Sequence, residues 1–366
     1  SFGEEEVYIL RPRMKNCGEI VFTRDLHWQT TSEILRYDNG FIEQLTTNNT
    51  PDAFPDINDA GTVVWNPDND SQGSGDIAII DDGIVNFIGN GTLPRINLSG
   101  KAVWSDLAFS QQPCAFTKAI IFFEGLSTTI IHNDGLSNQT PVINDNDDIA
   151  WTRFDFCPGG QGWEADIYLW RDGVATALTS DQLQPTAPSI NNKGHVAWNT
   201  KDHVTLVRRI ELWENGDTSI LTDWGSSPKL NDNGDIGFFR WYDTLDIAQA
   251  WIYYDGAFLQ IFNDASYSFV YDINNFAELV MAVGIFPATD VGYMRRIRTG
   301  EADFDGHIDL RDAAAFQNCM TGPGDFDGTV GGFDRLCDCR FLDIDHDRDV
   351  DRDDYALFAT AMTGPE

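Results

Sequence analysis

The chain has 366 residues, a net charge of −34 and an aromatic fraction of 12%. That charge excludes nucleic acid as a partner, because phosphate contacts need Lys and Arg. No run of about 18 apolar residues occurs, so no membrane-spanning helix is expected. The opening SFGEEE has neither a basic nor an apolar leader region, so any signal peptide is expected to have been removed already.

From the amino terminus, one eleven-residue pattern recurs seven times. The copies are PRMKNCGEIVF from Pro12, PDINDAGTVVW from Pro55, PRINLSGKAVW from Pro94, PVINDNDDIAW from Pro141, PSINNKGHVAW from Pro188, PKLNDNGDIGF from Pro228 and YDINNFAELVM from Tyr271. The starts lie 39 to 47 residues apart, the span of a three- or four-stranded blade. Position four is Asn in six copies, with Lys15 the exception, and position seven is Gly in five, with Asp147 and Ala277 in the others. Asn-x-x-Gly reads as a turn, with Asn bonding local backbone and Gly taking a positive φ. Apolar residues at positions nine and eleven then alternate as in a strand. Position eleven reads Phe22, Trp65, Trp104, Trp151, Trp198, Phe238 and Met281, a set of wedges between neighbouring sheets.

Each copy continues into another strand, as in SEILRYDNG (32–40), ADIYLWRDG (165–173), RIELWENG (209–216) and AWIYYDG (250–256), and then a shorter one, as in ATALTS (175–180). The predicted fold is all-β, a seven-bladed β-propeller over 1–299, with a small α-helical module over 300–366. EEVYILR (5–11) lies outside the first copy and is expected to complete the short last blade. The repeats resemble PxINxxGxVxW-type propeller repeats of secreted bacterial proteins.

Position eight of the repeat is polar in every copy: Glu19, Thr62, Lys101, Asp148, His195, Asp235 and Glu278. Placed at the start of the strand taken as innermost, this set is expected at one end of the central channel. Chemistry is not announced by any nucleophile, metalloprotease or phosphate-loop motif. A lyase would need a base and a group that neutralises a uronate carboxylate, and His195, His203, Lys101 and Arg240 are the candidates for those roles. Trp163, Trp224 and Trp241 are candidates to stack on sugars. Asn48, Asn69, Asn90, Asn97 and Asn138 head Asn-x-Ser/Thr sequons.

From Gly300 the composition changes. Two twelve-residue loops offer Glu301, Asp303, Asp305, His307, Asp309 and Asp312, then Asp343, Asp345, Asp347, Asp349, Asp351 and Asp354, at positions 1, 3, 5, 7, 9 and 12. This spacing wraps oxygens around Ca²⁺, with the position-7 residue giving its carbonyl. Ile308 and Val350 plug position eight, and AAAFQNCM and YALFATAM follow as exit helices. Two Ca²⁺ sites are therefore expected. The fragment DFDG (325–328) lacks an acidic finish and reads as linker.

The two loops resemble type I dockerin modules, especially the dockerin-like tails of planctomycete secreted proteins. The resemblance implies paired Ca²⁺ sites, a compact two-helix module and an extracellular setting. Glu301 stands where the pattern has Asp, and Arg348 where it has Gly. Cohesin, the chain's own propeller and another subunit are all open as partners of the module. Six cysteines, none in a CxxC pair, favour disulfides. Cys319 with Cys337 or Cys339, and Cys114 with Cys157, are candidate pairs. The function expected is an extracellular, calcium-stabilised surface, adhesion or self-assembly protein, with a protein partner or self-association through the module and glycans as a further candidate partner; the alternative is a secreted polysaccharide lyase anchored by its tail.

Overall fold

The computed structural model describes residues 7–16, 18–26, 32–38, 41–48, 50–67, 75–81, 83–107, 117–155, 164–180, 183–202, 205, 207–242, 247–254, 256–261, 267–285, 288–294, 313, 316–317, 319–320, 342, 344 and 350–362. The chain forms two compact units, 1–294 and 295–366.

The first unit is built from antiparallel strands joined by tight turns. Strands β1 (Val7–Met14), β2 (Ile20–Leu26), β3 (Ser32–Asp38) and β4 (Phe41–Gln44) pair in chain order. A larger sheet holds β5 (Ala53–Ile57), β6 (Val63–Asn66), β7 (Gly75–Asp81), β8 (Ile84–Ile96), β9 (Ala102–Leu107), β10 (Lys118–Glu124), β11 (Ser127–His132), β12 (Ser137–Ile143), β13 (Ile149–Asp155), β14 (Glu164–Arg171) and β15 (Val174–Ala177). It is three repeats joined at two places. The thirteen-residue β8 pairs with β7 through its first half and with β9 through its second. A single parallel pairing, Lys118 with Ser137, links β10 to β12.

Three further sheets follow: β16 (Gln184–Ile190) to β19 (Asp217–Thr222) through β17 (Val196–Lys201) and β18 (Arg208–Glu214); β20 (Ser226–Leu230) to β23 (Ala257–Gln260) through β21 (Ile236–Tyr242) and β22 (Ile247–Tyr254); and β24 (Tyr267–Ile273), β25 (Leu279–Ile285) and β26 (Ala288–Met294).

Residues 7–14 pair with β2, so the amino-terminal strand is the first strand of the first sheet and not an addition to the last. β26 ends a sheet of three strands. The reason is local: every repeat turn needs a strand on each side, and the eleven-residue copy begins midway through the earlier one.

The strands that precede the turns pack side by side: β1 with β5, β5 with β8, β8 with β12, β12 with β16, β16 with β20, β20 with β24, and β24 with β1 again. These first strands surround the central space. The last strand of a sheet, such as β4, is exposed throughout. Each first strand carries a bulge just before the turn, and in the six copies that begin with proline the residue ahead of it takes a left-handed φ. Arg11, Phe54, Leu93, Thr140, Ala187 and Ser227 share values between 51° and 58°. The repeated bulge twists the strand end and re-aims the side chains beyond it.

The position-eleven wedges are all buried. Trp104 packs on Val64 and Ile77 of the preceding copy, Trp198 on Ala150 and Ile167, and Phe22 on Val280 of the last copy. Their indole N–H groups are satisfied: Trp65 donates to Asp52 at 3.1 Å, Trp151 to Asn138 at 2.9 Å and Trp198 to Glu211 at 2.7 Å.

Candidate functional site

The turns make two circuits of hydrogen bonds. In the first, the position-four amide donates to the position-four carbonyl of the next copy: Asn58 to Asn97, then on to Asn144, Asn191, Asn231 and Asn274. Asn274 donates to the position-five carbonyl of Asn16, which brings the series back to the first copy, where Lys15 stands at position four in place of an amide. In the second, the position-five backbone N–H donates to the position-five side chain of the next copy. Asn275 thus reaches Asn16 at 2.8 Å, and Asn16 reaches Asp59 at 2.7 Å. Leu98 interrupts this circuit because its side chain accepts nothing. Positions three to five of all seven copies border one opening.

The expected polar set at position eight does not line this opening. Its members are held mostly by the end of the third strand of their own copy, and Lys101 also by Asp147 of the next. Lys101 Nζ lies 2.8 Å from Glu124 and 2.6 Å from Asp147. Asp148 accepts two bonds from Arg171, both at 2.8 Å. His195 Nδ1 is 3.0 Å from Glu214, and Thr62 reaches Asp81 at 3.3 Å. Glu19 pairs with Lys15, while Asp235 and Glu278 accept from Asn231 and Asn274. The sequence reading assigned the inner role to the strand after the turn; the strand before it has that role.

The described lyase candidates, Lys101, His195 and Arg240, are not assembled into one site. Lys101 and His195 occupy separate copies with the partners just given. Arg240 lies on β21, its guanidinium 4.8 Å from the Trp224 ring and 4.7 Å from Tyr242. His203 and Trp163 fall outside the described residues. Trp224 packs edge-on against Trp251 and beside Phe238 and Phe258, so it is a wall of the sheet interior rather than a platform. Asn97 and Asn138 are buried and bonded, which closes those sequons to a glycan.

The central space is lined instead by positions just before the turn. Two cavities, of about 370 and 240 Å³, share Arg13, Leu93, Arg95 and Lys229 in their walls. Position two of the copies reads Arg13, Asp56, Arg95, Val142, Ser189, Lys229 and Asp272. Arg13 stands 3.9 Å from Asp56 and 3.9 Å from Asp272, its neighbours on either side, and Arg95 is 4.0 Å from Asp56. The two carboxylates also accept backbone bonds from the next copy, Asp56 from Ile96 and Asp272 from Met14, each at 3.0 Å. Burial, and then the Arg13 and Arg95 charges, push Lys229 down to about 7. Burial and then Arg13 lower Arg95 to about 10, and burial raises Asp56. Sequence reasoning missed this cluster. Its signal is present at position two, where charge alternates around the ring from Lys229 through Asp272, Arg13 and Asp56 to Arg95.

In the second unit, helix α1 (Arg352–Ala361) starts inside the second acidic loop. Asp351, at loop position 9, is its N-cap, and Asp354, at position 12, completes a capping box. Asp354 is fully buried, and its carboxylate accepts the N–H groups of Ile344 and Asp351. Val350, Leu342, Phe316, Cys319 and Phe358 form a small core, with the Phe316 and Phe358 rings 5.0 Å apart. Residues 313, 316, 317 and 319 are helical. Cys319 is not a free thiol. The other ten proposed calcium ligands (Glu301, Asp303, Asp305, His307, Asp309, Asp312, Asp343, Asp345, Asp347 and Asp349) lie outside the described residues, as do Cys17, Cys114, Cys157, Cys337 and Cys339. Among the described residues no helix is long and apolar enough to cross a membrane.

No family model matches the chain, and no curated protein does. Solved structures do. The β-propeller domain of the Trilobed protease from Pyrococcus furiosus, described as having an open velcro topology, aligns at 13% identity with a TM-score of 0.57, over 79% of this chain and 95% of that one. Prolyl oligopeptidase B from Galerina marginata aligns at 7% identity and 0.56, over 80% and 49%. The acylaminoacyl peptidase of Pyrococcus horikoshii aligns at 15% and 0.55, over 79% and 51%. The chain spans about half the length of these two peptidases. At such identities the likeness concerns fold, and the fold of the first unit is a β-propeller.

Proposed function

We propose that the protein is an extracellular, calcium-stabilised β-propeller that acts as a surface, adhesion or self-assembly component. Its propeller is a rigid seven-bladed platform and its carboxyl-terminal unit is a dockerin-like attachment module. Support for seven blades comes from the turn circuits, which pass through seven copies and return to Asn16.

The observation that carries the functional reading is the buried Asp354. A carboxylate at loop position 12 is held in the interior, at the third residue of α1, and ties the loop to the helix through two backbone bonds. The spacing of the carboxylates along the sequence suits a hard divalent cation, which asks for clustered carboxylate oxygens. Asp343, Asp345, Asp347, Asp349, Asp351 and Asp354 would hold one ion, and Glu301, Asp303, Asp305, His307, Asp309 and Asp312 a second. Bound calcium would relieve repulsion among the carboxylates and fix the exit helices, which then present a defined surface to a protein partner or another copy.

Calorimetric titration of the full chain with CaCl₂ tests the metal step. Two equivalents are expected, falling to one in a D343N/D345N double variant. Light scattering of the same samples tests the assembly step: mass should rise with calcium and fall with chelator. Absence of binding heat removes the calcium reading, and binding without any change of mass removes self-assembly.

A further inference from the structure

The larger central cavity is lined by four basic side chains, Arg11, Arg13, Arg95 and Lys229, and by no carboxylate. In a chain carrying 58 acidic residues against 24 basic ones, this is a marked local reversal of sign. The adjoining cavity repeats three of the four and adds Asp56 and Asp272. Those two carboxylates each give one oxygen to a backbone N–H of the next copy, and their other oxygens stand 3.9 to 4.0 Å from Arg13 and Arg95. Lys229 has no described carboxylate within ion-pair distance. Arg11 rests on the Phe54 ring, 3.7 Å from its centre, and also lacks an ion pair with a described residue.

If all six groups are ionised, the cluster carries two uncompensated positive charges. Partly withdrawn from bulk water in a concave space, such charges attract an anion more strongly than the same groups would on an open surface. Phe54, Phe239, Phe269 and Tyr271 supply apolar walls between the cations. Charged groups that fix orientation inside an otherwise apolar concavity are the usual make-up of a small-molecule site.

We infer that the central cavity of the propeller binds a small organic dianion, with its carboxylate or phosphate groups held by Arg13, Arg95 and Lys229 and by Arg11 at the rim. The inference rests on the first unit alone and is independent of the calcium reading.

The test is titration calorimetry of the full chain with succinate and, separately, with phenyl phosphate, at pH 6.5 and pH 8. Saturable binding of at least one probe at one equivalent is expected, and the better probe identifies the source of the charge. Lys229→Met and Arg95→Met should each weaken it by about tenfold or more, and R36M, which removes only the surface partner of Glu43, should not. At pH 8 binding should take up protons, seen as a heat that varies with the ionisation enthalpy of the buffer, because an anion beside Lys229 raises its pKa; that dependence should vanish in the Lys229 variant. Near-neutral circular dichroism of each variant verifies folding. Failure of both probes to bind, or binding that is unchanged in both cavity variants, overturns the inference.

Discussion

Ala277 stands where five of its counterparts are glycine, and its φ of +57° is one that an L side chain resists. Its methyl group is buried and makes no polar contact that would offset the strain. Ala277→Gly is therefore expected to stabilise the propeller, by about 1 kcal/mol in urea denaturation. Asp147 has the same backbone conformation, with φ at +67°, but earns it: its carboxylate holds Lys101 at 2.6 Å and Asn97 at 3.0 Å. Asp147→Gly should show no gain, because relief of strain is set against two lost bonds. Gly194 shows the opposite constraint. A Cβ there would collide with Arg171 Nη2 and crowd Asp148, so Gly194→Ala is expected to break the bidentate Arg171–Asp148 pair and cost about 1–3 kcal/mol in the same assay.

Among the elements, the repeat turn does the most to fix the architecture. Asn191 accepts the N–H groups of Lys193 and His195 and donates to the Asn231 carbonyl at 3.0 Å, all with the side chain nearly inaccessible. Asn191→Ala strands those groups, and a loss of about 2–4 kcal/mol is expected in denaturant titration. This turn was legible in the sequence because its chemistry is local: Asn and Gly three positions apart carry the signal by themselves. The wedges Trp151 and Trp198 were legible for the same reason, as was the start of α1 inside the acidic loop, where Asp351 caps the helix and Asp354 lies in its first turn. What lies across the central space was not legible. Both strands flanking the turn are apolar, and choosing the inner one requires knowing how copies pack. That choice decided whether position two or position eight faced the channel, so Lys101 and His195 were favoured while Lys229 and Arg95 were passed over. Arg240 was likewise drawn into a catalytic set by its charge, although Trp224 and Tyr242 sandwich it within the sheet.

For the molecule as a whole, a buried carboxyl and a half-buried amine leave opposite marks on the dependence of stability on pH. Asp52 is fully buried, and burial raises its carboxyl to about 6 despite bonds from Asn48 and Trp65. Between its ordinary value of 3.8 and about 6 the folded chain holds a proton that the unfolded chain has released, so stability falls as pH rises through that window. Lys229 works the other way. Between about 7 and its ordinary 10.5 the unfolded chain holds the extra proton, so stability rises with pH there. Together they contribute a minimum between about pH 6 and 7. Comparison of each variant with the parent isolates these terms from the many surface carboxylates. Asp52→Asn should remove the fall on the acid side, and Lys229→Met the rise on the alkaline side, each by an amount on the order of a few kcal/mol. Thermal melts from pH 4 to 10 measure both. A Lys229→Met difference curve that stays flat from pH 7 to 10 would mean that the amine keeps its full charge in the folded channel, with water or counterions already neutralising it.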